Sequence, residues 1–416
     1  MGDRQVDDEL YGPVLVDGSL DVVGPNAIAG YLSTRGNGYI RMTEPDDSLL
    51  VYGELRLEGT AAAGQLTAGF LDIWGNLYIG SGPAVLAEAN HVTRIRDLDP
   101  SLTVIDPPSS HLGSLLIDGG NVVTLIADGL TLRGDLRLEG TEARLVEARP
   151  SVVTVGNSLL DPAGNLSVGT VIVDGENGVQ TPSVSGNLIV RGLSALSGDL
   201  DVAAALTITD KGELTLGDHR VIVGGDFSTT VLGTLRMQSS GDTLRVLGDA
   251  IFGGGSTLGQ LTAGVLELHG GLQQLRGEES FATFHSSVEH LVRFAGGTTN
   301  QIFFESSNDT DGSRIGNLSI AKQDGQVSLA SGDLYVQNIV GSFTNAGFSV
   351  GTASQDANLY VLGSVSPTVS AENRGFFLDA FGRVQILRGE GLGCATGSIR
   401  VDGNTDNFSP QACRQP

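Results

Sequence analysis

Aromatic side chains are scarce in this sequence. They form 5% of its 416 residues, and Trp74 is its one tryptophan. Cores keyed on large rings, such as the tryptophan-centred sandwich, are hard to assemble from so few. Lysine is rarer still, confined to Lys211 and Lys322. The 24 basic residues face 48 acidic ones, a formal net charge of −24. That imbalance repels a phosphate backbone, so nucleic acid is excluded as a partner. It repels an anionic membrane surface equally. Its plain consequence is a soluble, self-repelling exterior.

Cysteine occurs twice, at Cys394 and Cys413. No CxxC or Cys/His spacing suggests zinc. A single pair closing a short loop near the C-terminus reads as a disulfide in an oxidising compartment. No run of about 18 apolar residues exists, so no transmembrane helix is expected. The opening "MGDRQVDDELYG" is acidic and has no apolar centre, so it is not a signal peptide. If the protein is exported, its leader has been removed or lies outside this sequence.

Glycine, by contrast, is abundant, at 60 residues, against an ordinary share of about 7%. The phrase "AGQLTAGFLDIWG" at Ala63–Gly75 returns as "LGQLTAGVLELHG" at Leu258–Gly270. Laid without gaps on residues 233–272, residues 38–77 match at seventeen of forty positions. Chance would give about three. Glycines, and aliphatics at alternate positions, dominate the matches. Looser similarity follows, "HVTRI" at 91–95 answering "HLVRF" at 290–294.

A shorter beat recurs throughout: glycine, a polar residue, then alternating aliphatics. "GELRLEG" (53–59), "GNLYIG" (75–80), "GDLRLEG" (134–140) and "GELTLG" (212–217) are examples. In "GDLRLEG", Leu136 and Leu138 should face inward, and Asp135, Arg137 and Glu139 outward, the period of a half-buried strand. Two or three such strands per coil predict a rung of about 22–35 residues, the range of a β-solenoid. One rung cannot bury its apolar face alone; stacked rungs can, which is why duplication lengthens such a fold. In "GQLTAG", Leu66 should fill the core and Gly64 and Gly69 the corners. "FATFHSSVEHLVRF" (281–294) has some helical periodicity, but its copy at 84–95 does not support a helix.

The fold class is therefore all-β: an elongated, right-handed parallel β-solenoid with two homologous modules. A tandem of β-sandwiches is the alternative. The expected organisation is a first module at 1–150, bridging rungs at 151–209, a second module at 210–345, and terminal rungs with a disulfide-linked cap at 346–416.

"LRVLGDAIFGGGSTLGQLTAGVLELHGGL", "FHSSVEHLVRF" and "IGNLSIAKQDGQVSLASGDLYV" together resemble the glycine-rich repeats of large bacterial secreted and cell-surface proteins of adhesin type. The resemblance covers about two thirds of the chain. It implies export and a β-solenoid, and it supplies no catalytic residue.

Chemistry is thinly marked. Six histidines are present, none in HxH or HExxH. His91 and His290 occupy equivalent places, each three residues before an arginine, and read as a surface or corner feature of the repeat. "SNDTDGS" (307–313) partly matches a calcium loop through Asp309 and Asp311, but Leu318 stands where a glutamate belongs. Calcium is thus the one cofactor the sequence raises, and an Asx-rich turn explains the same residues. Acidic pairs such as Asp46-Asp47 are scattered, which suits a solvated face better than a polysaccharide lyase or hydrolase. No nucleophile elbow or nucleotide loop occurs. The expected role is structural: a non-catalytic stalk or scaffold, secreted or on a cell surface, with other surface proteins or glycans as partners. The aromatics available to bind a glycan are Tyr31, Tyr39, Tyr52, Trp74, Tyr78, Phe303 and Phe304.

Overall fold

Three to five residues of alternating pattern leave a strand with one apolar face and too little length to cover it. The chain solves this by coiling and stacking. The computed structural model describes residues 4–6; 12–322 apart from 29, 62, 97–98, 177, 279–281, 297–298 and 308–311; and 326–342, 347–350, 357–362, 365–368, 377–380, 383–386 and 400–403. No helix occurs among these residues. Their parallel coils form a β-solenoid of about 14 turns. Parallel pairing throughout rules out the antiparallel sandwiches held as the alternative.

The contacts divide the chain at Leu200 into two units. In the first, one eight-stranded parallel sheet runs from Val14–Val16 through Leu55–Leu57 and Leu77–Ile79 to Leu166–Ser167. A second eight-stranded sheet contains Ser48–Val51, Phe70–Ile73, Val92–Ile95, Ser114–Asp118 and Leu136–Glu139. Short strands and single bridges such as Met42–Leu66 and Leu66–Ala87 close the remaining side. Leu55, Leu77, Leu102 and Leu125 follow one another in register, all fully buried.

The second unit repeats the plan. Thr243–Val246, Val265–Leu268 and Leu291–Phe294 stack on one face, and Phe227–Thr229, Ala250–Phe252 and Leu272–Gln274 on another. Its core is bulkier: Phe227, Phe252, Phe284 and Phe304 form a file with ring centroids 5.3, 4.7 and 5.9 Å apart. The 17-residue strand Gln326–Ser342 contributes to both faces. Of the stretch with helical periodicity, residues 282–294 are bridge, bend, turn and strand.

The duplicated phrase behaves as its pattern predicts. Leu66 and Leu261 are 5% and 1% exposed. Gly64 and Gly69 turn corners at φ +82° and +85°, and Gly259 and Gly264 at +73° and +82°. A charge placed at either leucine has no partner, so Leu66→Asp should cost about 3–5 kcal/mol. Thr67, beside it and half-exposed, should accept the same change within about 0.5 kcal/mol. Urea midpoints of the two variants test this; equal losses would mean the inward and outward positions are misassigned.

Asp135, outward by strict alternation, is instead buried. The strand begins at Leu136, so Asp135 sits on the corner, where alternation does not apply. Its carboxylate accepts hydrogen bonds from Asn157 Nδ2 (2.6 Å) and the Ser158 amide (3.1 Å).

The copies also differ instructively. Gly36 turns at φ +56°, closed by a 2.7 Å bond from the Gly38 amide to the Arg35 carbonyl. At the matching turn the second copy has Val231, also at φ +56°. The left-handed region costs an L-residue about 1–2 kcal/mol, and a β-branched one is a true outlier there. Val231→Gly should therefore stabilise the protein by about 1 kcal/mol, even after glycine's entropy cost. The urea midpoint should rise with an unchanged slope; a fall would show that the turn tolerates valine without strain.

Candidate functional site

On the second sheet of the first unit, Val51, Ile73, Ile95, Ile117 and Leu138 stack in register and are fully buried. The residue after each lies at the sheet's outer edge: Tyr52, Trp74, Arg96, Asp118 and Glu139. These five follow one another rung by rung, about 4.8 Å per step. Tyr52 and Trp74 are 52% and 44% exposed, their ring centroids 6.3 Å apart. The Arg96 guanidinium lies 6.0 Å from the Trp74 ring. Beside this row Asp72 holds both neighbouring arginines, Arg94 at 2.7 Å and Arg96 at 3.3 Å. Asp118 approaches each of them at 3.7 Å. Arg94 also covers the Phe70 ring at 4.6 Å. The charges are thus matched among themselves, and the two half-exposed rings stand beside them, tilted 49° to each other. The row ends at Glu139, which also lines an open cleft with Gln180, Thr181 and Asp199.

The second unit carries the same scaffold with other side chains. Val246, Leu268, Phe294 and Ile320 are the stacked core positions. Leu247, His269, Ala295 and Ala321 follow them in sequence. Glu267 takes the place of Asp72 and meets Arg245 at 3.2 Å, His269 at 3.2 Å and Arg293 at 3.6 Å. The ion-pair motif is kept and the aromatic pair is not.

No family model, curated protein or solved structure matches the chain.

Other polar residues singled out in the sequence serve the backbone. Asp47, expected on a solvated face, is 3% exposed. It accepts hydrogen bonds from the amides of Gly24 (3.1 Å), Thr43 (2.9 Å) and Glu44 (2.9 Å). Asp242, its duplicate, accepts from the amides of Asp218 (2.6 Å), Gln238 (2.7 Å) and Ser239 (2.9 Å). A turn buries amides that no strand can pair, and a carboxylate with two oxygens satisfies several at once. Thr34 does a smaller version of this for Glu58 and Gly59, and Thr229 for Gly254.

His91 and His290 are buried corner residues rather than surface ones. Their Nδ1 atoms meet the Ala68 carbonyl at 2.9 Å and the Ala263 carbonyl at 2.7 Å, so each Nδ1 carries the proton. Burial pushes both imidazoles down, His290 to about 4 against the opposing pull of the Ala263 carbonyl and Asp242.

Of the aromatics named from sequence, the structure pairs Tyr52 with Trp74. Tyr78 lies under the Arg56 guanidinium at 4.1 Å, on the other sheet. Phe304 is core, 1% exposed, and is no binding platform. Asp309, Asp311, Cys394 and Cys413 lie outside the described residues. Ser307, the first position of the calcium-like stretch, donates its hydroxyl to the Ser313 carbonyl at 2.6 Å. Among the described residues no group of three or more His, Cys, Asp or Glu side chains is placed to hold a metal.

The outer row was legible in principle. Residues 52, 74, 96 and 118 advance by a constant 22, the step that separates Asp72 from Arg94. Without the exact rung length, Tyr52 and Trp74 are two of seven aromatics scattered along the sequence.

Proposed function

We propose that the protein is a non-catalytic structural or adhesion scaffold, a β-solenoid on a bacterial surface or secreted from it. The observation that carries this reading is the use of the polar residues. Asp47 and its duplicate Asp242, and His91 and its duplicate His290, are polar side chains kept in both copies, and both copies commit them to backbone groups at the corners. An active site would be expected in one copy and relaxed in the other. The resemblance to adhesin-type repeats supports the same reading, as does the acidic, self-repelling composition. Partners on this reading are other surface proteins or glycans. A disulfide between Cys394 and Cys413, which lie outside the described residues, belongs to the same proposal, since it would form in an oxidising compartment.

The rival is a polysaccharide-cleaving β-solenoid, with or without calcium. Incubation with acidic and neutral polysaccharides, with calcium or chelator, should release no new reducing ends. Sustained release that follows the purified protein would overturn the proposal. Protease treatment of intact cells expressing the whole gene should remove the chain from the cell fraction or find it in the medium. Full protection inside unbroken cells would sink the surface location.

A further inference from the structure

We propose that the outer row of the first unit is a binding platform for an extended, uncharged polysaccharide, lying along the stack over Tyr52 and Trp74. This goes beyond the scaffold role, which stands whether or not the platform binds.

Two rings lie exposed side by side, tilted 49° to each other, and together make the aromatic part of this outer row. The second copy keeps the same stacked core with Leu247 and His269 in their places. The aromatic pair is therefore an addition to the scaffold, present in one copy only. Ring faces suit the C–H faces of pyranoses, an apolar contact of large area and low entropy cost. The spacing fits as well: one rung advances about 4.8 Å, close to the rise of one sugar residue in an extended chain. A polymer laid along the stack meets Tyr52, Trp74, Arg96, Asp118 and Glu139 in turn. The last three offer donors and acceptors for hydroxyl groups.

Charge selects among polysaccharides. Arg94 and Arg96 are each already engaged by Asp72 and Asp118, so the row presents no excess positive charge to a uronate or sulfate. The chain's net charge of −24 opposes such polymers further. A neutral chain meets neither obstacle.

Trp74 is the one tryptophan, so its fluorescence reports on this site alone. Titration of the full chain with cellohexaose or chitohexaose should shift the Trp74 emission and saturate, and polygalacturonate should leave it unchanged. By calorimetry, Trp74→Ala and Tyr52→Ala should each weaken binding by about tenfold or more. Leu247→Ala and His269→Ala, at the matching places of the other copy, should bind as the parent does. Both aromatics are exposed, so the variants keep their fold, which the far-ultraviolet β spectrum checks. No emission shift and no heat with either neutral oligosaccharide would overturn the proposal. So would preference for polygalacturonate, or undiminished binding by Trp74→Ala.

Discussion

Replacing Asp242 with alanine should destabilise the protein by about 3–4 kcal/mol, and Asp47→Ala by a similar amount. Each carboxylate accepts three backbone amides at a buried corner. Removing it strands those donors away from water, where each unmet group costs about 1–3 kcal/mol and local relaxation recovers part of the loss. The asparagine variants keep one carbonyl acceptor and lose the charge, so they should fall between alanine and the parent. Denaturant midpoints of the four variants give the order. If Asp242→Ala melts with the parent, the corner amides have other partners and the aspartate is dispensable.

Acidification should produce the other large effect, through the buried histidines. The native His290 imidazole titrates at about 4, below its ordinary 6.5, because burial opposes the charged form. The unfolded chain therefore binds this proton first. Its contribution is fully present above pH 6.5 and declines as pH falls toward 4, a loss of about 3 kcal/mol from His290 alone. His91 is shifted in the same direction for the same reason and should add to the loss. Between pH 6.5 and 5 the ordinary carboxylates are still ionised, so that window belongs to the histidines. Urea midpoints of the parent should fall steadily across it. The His91→Gln/His290→Gln double variant should start lower and show a flatter profile. An unchanged slope in the double variant would move the pH dependence to other groups.

The fold was largely readable from the sequence because a stacked coil writes itself in simple terms. Alternating aliphatics and corner glycines repeat with each rung, and the two long copies confirm one another. Leu66, Gly64 and Gly69 fell where their pattern put them. Asp47 and Asp135 did not, and His91 and His290 keep the expected corner but lie buried there rather than on the surface, for a physical reason. Alternation predicts orientation only within a strand, and Asp47, Asp135, His91 and His290 all lie at corners. There the unpaired amides and carbonyls of the turn decide which way a side chain points. The candidate platform was missed for a different reason: Tyr52 and Trp74 are neighbours only once the step of 22 residues is known.

The step between rungs also bears on how the molecule forms. Side-chain hydrogen bonds linking one coil to the next span from 17 residues, as between Asn187 and Thr170, to 32, as between Ser306 and Gln274. A newly made coil thus finds its partner among the few dozen residues made just before it. Loop closure over such distances adds little entropy cost, and contact order stays low for so long a chain. Synthesis from the N-terminus can therefore deposit coils one upon another as they emerge, each finished coil serving as the template for the next. A chain stalled part-way through translation would already hold folded rungs, with one open edge waiting for the rest.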